Sequence, residues 1–298
     1  MGDPQIITSY AAERYHWVGQ YAIAIESQFQ MDLSIIVVSY NARSDLVRCL
    51  DSLRAHPPSA AHEIIVVDNA SSDGSAAAAR RHNFVRVIDV PSNVGFAAGN
   101  NIGIRASTGR MILLLNSDTL VPARGIDGLL DSLARHGEAA VVGPRLVNGE
   151  GRAELSFGRM ISPMSEVRQR RLVRGNDSGD PEIARYVDAI TRREQWTDWV
   201  SGACLLVRRS YAEAVGLLDE RYFMYMEDVD FCAAIRAEGG RILFDPRVEI
   251  VHLRGRSAAA QPVATREAYR RSHVAFYKKH YPWLAPLILL YRHLPARR

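Results

Sequence analysis

The chain is poor in cysteine and has no apolar run long enough to cross a bilayer. Its three cysteines, Cys49, Cys204 and Cys232, lie far apart and form no CxxC pair. The sequence therefore predicts neither a disulfide framework nor a zinc site, and it is typical of the reducing cytoplasm. A spanning helix needs roughly 20 apolar residues, and no stretch reaches that length. No basic segment followed by a long apolar one opens the chain, so we expect no signal peptide.

Two common nucleotide-binding motifs are also missing. The sequence contains neither GxGxxG nor GxxxxGK[ST], and it therefore supports neither an ordinary NAD site nor a Walker-type NTPase. Its composition is that of a globular protein, with 298 residues of which 47% are hydrophobic and 23% charged. A chain of this length can bury a full α/β core.

Short apolar runs alternate with helical patterns through the first half of the chain. We predict strands at 33–38, 64–67, 85–90, 111–115 and 141–142, with helices between most of them. This alternation predicts βαβ units, and hence an α/β fold with a mainly parallel sheet flanked by helices. Three of these strands end on polar residues, and the carboxyl ends of parallel strands meet at one edge of a sheet. Ligands of open α/β sheets bind there, so the pattern predicts a nucleotide site at this edge.

The strand at 111–115 ends on Asn116-Ser117-Asp118. Asn116 and Asp118 lie two residues apart and would project beyond the sheet edge, where a divalent ion or a diphosphate could meet them. The alternative is that Asp118 only caps the next turn, as Asp and Asn often do after strands. This stretch alone leaves both interpretations open.

Three acids, Glu227, Asp228 and Asp230, fall in the first turn of a helix predicted to begin near residue 227. Acids in that position interact favourably with the helix dipole, by about 0.3–1 kcal/mol each. Three of them directly after the aromatic run 222–225 are more than capping requires. A carboxylate beside aromatic rings can have a raised pKa and act as a general base.

We also predict two short strands at 242–244 and 248–251. The second ends at His252, and Arg254 and Arg256 follow it. This position suits an anion-binding or metal-binding role, although a lone histidine in a protein is more often structural. Between these motifs, residues 145–195 are polar and rich in arginine. Within them, 175–180 is predicted to be a loop because it is dense in Gly, Asn, Asp and Ser.

The C-terminal segment is strongly basic. Residues 266–298 contain eight Lys and Arg against Glu267 alone, a net charge of +7 in a chain whose total is +4. Aromatic and aliphatic residues, including Phe276 and Tyr277, are interleaved with these charges, which suits a helix lying at a membrane interface. The alternative is a C-terminal helix packed on the body or on a second subunit. Nucleic-acid binding would rest on the basic charge alone, without a recognition motif.

Six short motifs occur in a fixed order along the chain. They are VVSYN (37–41), VVDNASSDG (66–74), NVGFAAGNNIG (93–103), LLNSDT (114–119), WVSGA (199–203) and YMEDVDFC (225–232). Together they resemble family 2 glycosyltransferases of the GT-A fold, and most of all the bacterial rhamnosyltransferases that use dTDP-L-rhamnose. Related enzymes that use UDP-galactofuranose or UDP-GlcNAc share several of these motifs and are the alternative. A catalytically silent nucleotide-sugar-binding protein is the alternative from another class.

The resemblance implies a role for each matching residue. The residues implied to bind the nucleotide, the diphosphate or the sugar are Ser39, Tyr40, Asp68, Asn93, Gly95, Asn100, Asn116, Trp199 and Gly202. Asp68 is similar to the aspartate that accepts a hydrogen bond from the pyrimidine base. Asn116-Ser117-Asp118 occupies the place of the DXD motif with a neutral first residue, so that Asp118 and His252 are the implied ligands of Mg²⁺ or Mn²⁺.

Asp228 matches the catalytic base of the family, with Glu227 as its neighbour and rival. The implied reaction is an inverting single displacement on the donor sugar, without a covalent intermediate. The implied partners are a dTDP- or UDP-sugar donor and a glycan or polyprenyl-linked acceptor for cell-surface polysaccharide synthesis. Membrane contact through the C-terminal helices would place the protein at the inner face of the cell membrane.

The resemblance also implies a domain organisation. We expect a leader at 1–31, a GT-A domain at 32–256 and basic amphipathic helices at 257–298. Within the GT-A domain, 32–143 is the expected nucleotide-binding half and 144–256 the expected acceptor and catalytic half.

Overall fold

The computed structural model describes residues 31–253 and 262–284. Residues 1–30 of the predicted leader, Arg254, Arg256 and the chain beyond residue 284 lie outside these residues, whereas Met31 is the first residue of a strand. The strands are β1 (Met31–Ser39), β2 (His62–Asp68), β3 (Val85–Asp89), β4 (Gly109–Asn116), β5 (Thr119–Leu120), β6 (Ala139–Val147), β7 (Phe157–Gly158), β8 (Gln195–Thr197), β9 (Trp199–Val200), β10 (Cys204–Arg208) and β11 (Arg241–His252). The helices are α1 (Arg43–Ala55), α2 (Ser75–Ala79), α3 (Phe96–Arg105), α4 (Gly125–Arg135), α5 (Pro163–Asp177), α6 (Pro181–Ile190), α7 (Arg209–Ala214), α8 (Glu227–Ala237) and α9 (Pro262–His280), followed by a short 3₁₀ turn (Pro282–Leu284).

A nine-stranded sheet forms the centre of the molecule, in the order β3-β2-β1-β4-β10-β6-β11-β5, with β8 paired to β11. The first four strands of this order are parallel. Strand β10 runs antiparallel between β4 and β6, whereas β6 and β11 are again parallel. The predicted α/β fold with flanking helices is confirmed.

Both faces of the sheet are covered, which explains why its central strands are almost continuously apolar. Along β1, Ile36 and Val38 face one core, which also contains side chains of α3, α8 and α9. The alternate residues Leu33, Ile35 and Val37 face a second core, formed with α1 and α4. Because successive side chains of a strand point to opposite faces of the sheet, α3, α8 and α9 cover one face and α1 and α4 cover the other. Among the described residues, no helix is long and apolar enough to cross a membrane.

The structure corrects the first half of the loop predicted at 175–180, whereas residues 178–180 do form a turn. Helix α5 continues through Gly175 and ends at Asp177. A Cβ added at Gly175 would lie 2.1 Å from Cδ1 of Ile183 in α6. The glycine is therefore explained by the close approach of α6 rather than by a loop. The two strands predicted at 242–244 and 248–251 are likewise one strand, β11, with a register shift between Asp245 and Glu249.

Helix α9 packs on the body of the protein. Phe276 and Tyr277, which the sequence placed among residues of a membrane-facing surface, are 0% exposed. The Ser272 hydroxyl donates a 2.7 Å hydrogen bond to the carbonyl oxygen of Met224. The aromatic face of α9 thus contributes to the core, and a lipid contact of this helix would have to use its other face.

Candidate active site

Three parallel strands end side by side at the polar edge of the sheet. In the strand register, Ser39 at the end of β1 lies opposite Asp68 at the end of β2. On the other side of β1, Val38 lies opposite Asn116, the last residue of β4. Tyr40 follows Ser39 in the turn and is half-buried. The structure therefore brings together the residues that the sequence predicted to line a nucleotide pocket.

Buried polar atoms without a hydrogen-bond partner are concentrated at this edge and in the turn that carries Glu227, Asp228 and Asp230, which we call the acidic turn. Within the described part of the chain, five of the predicted site residues have such an atom: Ser39 Oγ, Asp68 Oδ1, Asn100 Oδ1, Asn116 Oδ1 and Glu227 Oε2. A buried polar atom without a partner costs about 1–3 kcal/mol, so folded proteins rarely keep several of them. Polar groups of a bound ligand would satisfy these atoms.

A loop held by Asn69 closes one side of the pocket. The Asn69 amide donates to Asn93 Oδ1 at 2.9 Å and to the carbonyl oxygen of Gly95 at 3.1 Å, and its Oδ1 accepts from the N–H of Val94 at 2.9 Å. Asn93 in turn accepts from the N–H of Gly95 at 3.0 Å. Asn69 is 2% exposed and was not among the residues selected from the sequence. Its role here is to fix the loop rather than to face a ligand.

Gly95 joins this loop to the turn that carries the acidic residues. Its φ of 87° and ψ of 177° lie in a region that is essentially restricted to glycine. A Cβ at this position would lie 2.3 Å from the carbonyl oxygen of Phe223, the same oxygen that accepts the N–H of Phe96. Gly95 therefore lets the loop at the start of α3 pack directly against the turn before α8.

We expect Gly95→Ala to destabilise the protein and to weaken nucleotide binding. The backbone conformation alone costs about 1–3 kcal/mol for alanine, and the contact with Phe223 forces one of the two loops to move. The free energy of unfolding from denaturant titration measures this effect. Gly137→Ala is the matched control, since Gly137 has an ordinary φ and no atom within 4 Å of its would-be Cβ. Equal stability of the two variants would contradict the assignment.

A second group of side chains lies where β4 and β11 end. His252 Nε2 is 3.3 Å from Asp118 Oδ1 and 3.4 Å from Asn116 Nδ2. Its other ring nitrogen, Nδ1, is 3.1 Å from Oε2 of Glu154, a buried carboxylate that was not selected from the sequence. Burial alone would lower the pKa of His252, but hydrogen bonds to Asp118 and Glu154, together with their charges, raise it to about 9.

These side chains fit a hard divalent ion. Asp118 offers a carboxylate and Asn116 a buried Oδ1 atom that has no partner among the described residues, and oxygen ligands are what Mg²⁺ and Mn²⁺ prefer. Glu154 contacts Nδ1 of His252, which leaves Nε2 for the ion. A carboxylate hydrogen-bonded to the second ring nitrogen is usual for a metal-binding histidine. No cluster of three or more His, Cys, Asp or Glu within the described ranges is already arranged around a metal position. Ion binding would therefore have to exchange the contact between Asp118 and His252 for contacts to the ion.

The acidic turn lies directly beside the turn between β9 and β10. Asp228 Oδ2 accepts a 3.0 Å hydrogen bond from the N–H of Gly202. A Cβ on Gly202 would lie 3.4 Å from both Asp228 Cβ and Phe96 Cε1, so the glycine keeps space open at this point. Trp199 is buried in the neighbouring strand β9, and its indole N–H donates to the carbonyl oxygen of Arg159 at 3.0 Å. Of the two residues predicted to form the floor of the sugar pocket, Gly202 thus contacts Asp228 directly.

Asp228 and Glu227 differ in their surroundings. Glu227 is 5% exposed, and burial, followed by the charge of Asp228, raises its pKa well above the ordinary value. Burial also raises the pKa of Asp228, but hydrogen bonds from the N–H groups of Gly202 and Val229 act in the opposite direction. Asp228 keeps some exposure to solvent. It is therefore the better placed of the two to exchange a proton with a bound molecule.

The third acid of the turn, Asp230, has a structural role. It is 2% exposed and accepts hydrogen bonds from Tyr222 at 3.1 Å, Lys279 at 2.8 Å and His280 at 2.6 Å. Lys279 and His280 belong to α9, so this cluster fastens the C-terminal helix to the acidic turn. The turn itself is strained, because Tyr225 and Met226 both have positive φ, 69° and 70°.

Comparison with known proteins identifies the family. The family model described as Glycosyl transferase family 2 matches residues 34–215. The chain is 30% identical over 282 residues to an N-acetylglucosaminyl-diphospho-decaprenol L-rhamnosyltransferase of Mycobacterium tuberculosis, with 86% of this chain and 87% of that protein aligned. It is 28% identical over 233 residues to a low-salt glycan biosynthesis hexosyltransferase of Haloferax volcanii, covering 74% of this chain and 67% of that protein.

Solved structures show the same fold. A mannosyltransferase of Pyrobaculum calidifontis in complex with GDP-Man and Mn²⁺ superposes with a TM-score of 0.58 at 19% identity, covering 88% of this chain and 69% of that chain. S. aureus TarS 1–349 in complex with UDP superposes with a TM-score of 0.54 at 17% identity, covering 83% and 66%. The predicted GT-A fold and the resemblance on which it rested are confirmed. The chain belongs to glycosyl transferase family 2 and is a glycosyltransferase of the GT-A fold.

Proposed function

We propose that the chain is an inverting transferase that moves L-rhamnose from dTDP-L-rhamnose to a hydroxyl of a saccharide or lipid-linked acceptor in cell-surface polysaccharide synthesis. The observation that carries this proposal is the row of buried polar atoms without partners at Ser39, Asp68 and Asn116. Hydrogen bonds from Asn116 to Ala203 and from Gly202 to Asp228 link this row to the acidic turn. The rhamnosyltransferase of M. tuberculosis, similar over most of both chains, favours rhamnose among the sugars of the family.

The base-binding end of the pocket supports a pyrimidine nucleotide. Asp68 is 4% exposed, and its Oδ2 accepts the N–H of Ser71 at 3.0 Å. Its Oδ1 has no hydrogen-bond partner among the described residues. A carboxylate oxygen left as an acceptor matches the N3–H of thymine or uracil. Both dTDP- and UDP-sugars satisfy it, so the choice between them depends on contacts further along the donor.

Asp228 is proposed to carry the proton in the transfer step. Its carboxylate takes the proton of the acceptor hydroxyl, and the acceptor oxygen forms a bond to the anomeric carbon of the donor sugar. The bond between that carbon and the diphosphate breaks on the opposite face, so the configuration inverts. The N–H of Gly202 fixes one carboxylate oxygen at 3.0 Å, which orients the group for this proton transfer.

Asp118, His252 and Asn116 are proposed to hold the Mg²⁺ or Mn²⁺ ion. When bound, the ion supplies positive charge that neutralises the diphosphate leaving group. Glu154 would orient His252 through Nδ1, at 3.1 Å. The fixed peptide groups at the start of α3, held by Asn69 and Asn93, are proposed to complete the diphosphate site.

A donor panel tests the proposal. Nucleotide release is measured with dTDP-L-rhamnose, UDP-galactofuranose and UDP-GlcNAc, each with Mg²⁺, with Mn²⁺ and with a chelator. We expect the highest kcat/KM with dTDP-L-rhamnose and a large loss in the chelator. A clear preference for a UDP-sugar would show that the donor is a UDP-sugar, as in the UDP-dependent members of the family, and not dTDP-L-rhamnose. Binding of donors without release of nucleotide would instead support a catalytically silent binding protein, the alternative that the neutral Asn116 suggests.

The site of action and the domain boundaries complete the proposal. We propose a transferase domain at 32–256, a leader before it and basic helices at 257–298, with the protein working on the cytoplasmic side of the cell membrane. Within the domain, we propose that 32–143 is the nucleotide-binding half and 144–256 the acceptor and catalytic half. The basic composition of 266–298 supports an anionic membrane surface as partner.

A further inference from the structure

Helix α5 exposes large apolar side chains that nothing in the described structure covers. Met164 is 86% exposed and Val167 is 71% exposed. They lie one turn apart at the N-terminal end of the helix, and therefore on one face. Val263 at the start of α9 is 75% exposed and Trp283, just after α9, is 73% exposed. Single exposed apolar residues are normal, but four of them on the same helices and their ends indicate a contact surface.

The same helices carry an excess of exposed positive charge. The exposed basic residues are Arg168, Arg171 and Arg174 on α5, and Arg266, Arg270, Arg271, Lys278 and Lys279 on α9. Of these, Lys279 is paired with Asp219 and Asp230. The exposed acids on these helices are Asp177 and Glu267, and Glu267 is paired with Arg271 at 2.6 Å. Arg168, Arg171 and Arg174 follow Met164 and Val167 at helical spacing, so cations and apolar groups share one face of α5.

The two helices lie side by side. Glu166 of α5 is 2.7 Å from His273 Nε2 and accepts the Tyr277 hydroxyl at 2.8 Å. Arg170 reaches across to Tyr269, with its guanidinium 5.9 Å from the ring centroid. These contacts occupy one face of each helix, and the exposed residues of each helix lie away from them. Helices α5 and α9 thus form a two-helix layer with a basic and apolar outer surface, which we call the α5–α9 surface.

The inner face of α9 contacts the acidic turn. The Ser272 hydroxyl of α9 donates to the carbonyl oxygen of Met224 at 2.7 Å, and the rings of Tyr225 and Tyr269 are 5.6 Å apart. Asp230, two residues after Asp228, is held by Lys279 and His280 of the same helix. The outer α5–α9 surface is therefore separated from the acidic turn by the thickness of α9.

We propose that the α5–α9 surface docks the protein on an anionic lipid bilayer. Cations attract acidic headgroups, and the exposed Met164, Val167, Val263 and Trp283 enter the interface, the combination found in interfacial helices. This proposal rests on the proposed function, which names a membrane as a partner. It assigns the main membrane contact to α5 and the outer face of α9 instead of the C-terminal segment.

Sedimentation with vesicles tests this proposal on the full chain. Vesicles of phosphatidylcholine containing phosphatidylglycerol are compared with vesicles of phosphatidylcholine alone. We expect binding to the anionic vesicles that weakens as the salt concentration rises, because exposed charges are screened. Each basic residue near such a surface changes binding by about fivefold, so Arg171→Glu with Arg174→Glu lowers the partition coefficient by roughly 25-fold or more.

The matched control reverses two exposed arginines at the opposite edge of the sheet. Arg81 and Arg86 lie just before and within β3, the strand at one end of the sheet, and Arg81→Glu with Arg86→Glu changes the net charge by the same amount. We expect this control to bind vesicles nearly as the unchanged protein does. An equal loss of vesicle binding in both double variants would show that binding depends only on the net charge of the protein, and would overturn the proposal. Undiminished binding of the α5 variant would assign the contact to another segment, and would overturn it as well.

A separate measurement distinguishes the docking surface from the activity. Nucleotide release from the donor in solution, without vesicles, needs the active site but not a membrane. We expect Arg171→Glu with Arg174→Glu to leave this rate unchanged while vesicle binding is lost. If vesicle binding follows the expectation but no donor is turned over by any form of the protein, the docking surface stands and the proposed transferase reaction fails.

Discussion

Asp228→Asn should lower kcat by about 10²–10⁴-fold, the range that a general base contributes, and leave the affinity for the donor nearly unchanged. The amide has the same shape as the carboxylate and can still accept the 3.0 Å hydrogen bond from Gly202. It cannot take a proton from the acceptor hydroxyl. Steady-state transfer and donor binding, measured separately, give the two quantities.

The pH dependence of kcat gives a second measurement of the same residue. The base acts in its deprotonated form, and burial raises the pKa of Asp228. In the unchanged protein kcat should therefore fall as the pH is lowered through this raised pKa. The residual rate of Asp228→Asn should lack this decrease, because the group that titrates is gone.

Glu227→Gln and Asp51→Asn complete this experiment. Burial and the neighbouring charge raise the pKa of Glu227 well above its ordinary value, so its side chain releases a proton less readily than an ordinary glutamate does. Glu227→Gln should accordingly retain far more activity than Asp228→Asn. Asp51 is an exposed acid on α1 that pairs with Arg54, and its neutralisation should have no effect. If Glu227→Gln is the inactive variant and Asp228→Asn turns over normally, the base is Glu227.

The parts of the fold that the sequence revealed are those encoded by local patterns. The β-branched run 33–38 and the apolar run 111–115 predict strands β1 and β4 and also their polar ends, since a strand that enters solvent must change composition there. Helix α8 begins at Glu227 as predicted, because its acids suit the first turn of a helix. The neighbouring positions of Ser39, Asp68 and Asn116 then follow from the parallel order of the strands.

Contacts between distant segments were not encoded in any local pattern. Glu154 lies 98 residues from His252 in a short stretch after β6, and nothing in its surroundings distinguishes it from a surface acid. Asp230 looks like a member of a catalytic acid cluster, and only α9, 49 and 50 residues away, shows that it binds Lys279 and His280. The composition around Gly175 predicted a loop. The close packing of Ile183 of α6 against Gly175 explains the glycine instead, and a contact of this kind cannot be read from composition.

Asp118→Ala should weaken metal-dependent donor binding and lower kcat/KM. An ion that neutralises a leaving group supplies several kcal/mol, so loss of a ligand should cost roughly 10²-fold or more. Calorimetric titration with dTDP, with and without Mn²⁺, measures binding without requiring turnover. The variant should fold, because it keeps the backbone contact that joins Asp118 to the end of β11, in which the Asp118 carbonyl oxygen lies 2.8 Å from the N–H of Leu253.

The comparison with chelator decides whether Asp118 acts through the ion. If it does, removal of the metal and removal of the carboxylate abolish the same interaction, and their effects should not add. A chelator should weaken dTDP binding strongly in the unchanged protein and in Asp131→Ala, which removes an exposed acid of α4. It should have little further effect on Asp118→Ala. Additive losses would show instead that Asp118 acts through His252, its partner at 3.3 Å, and that the ion is held elsewhere.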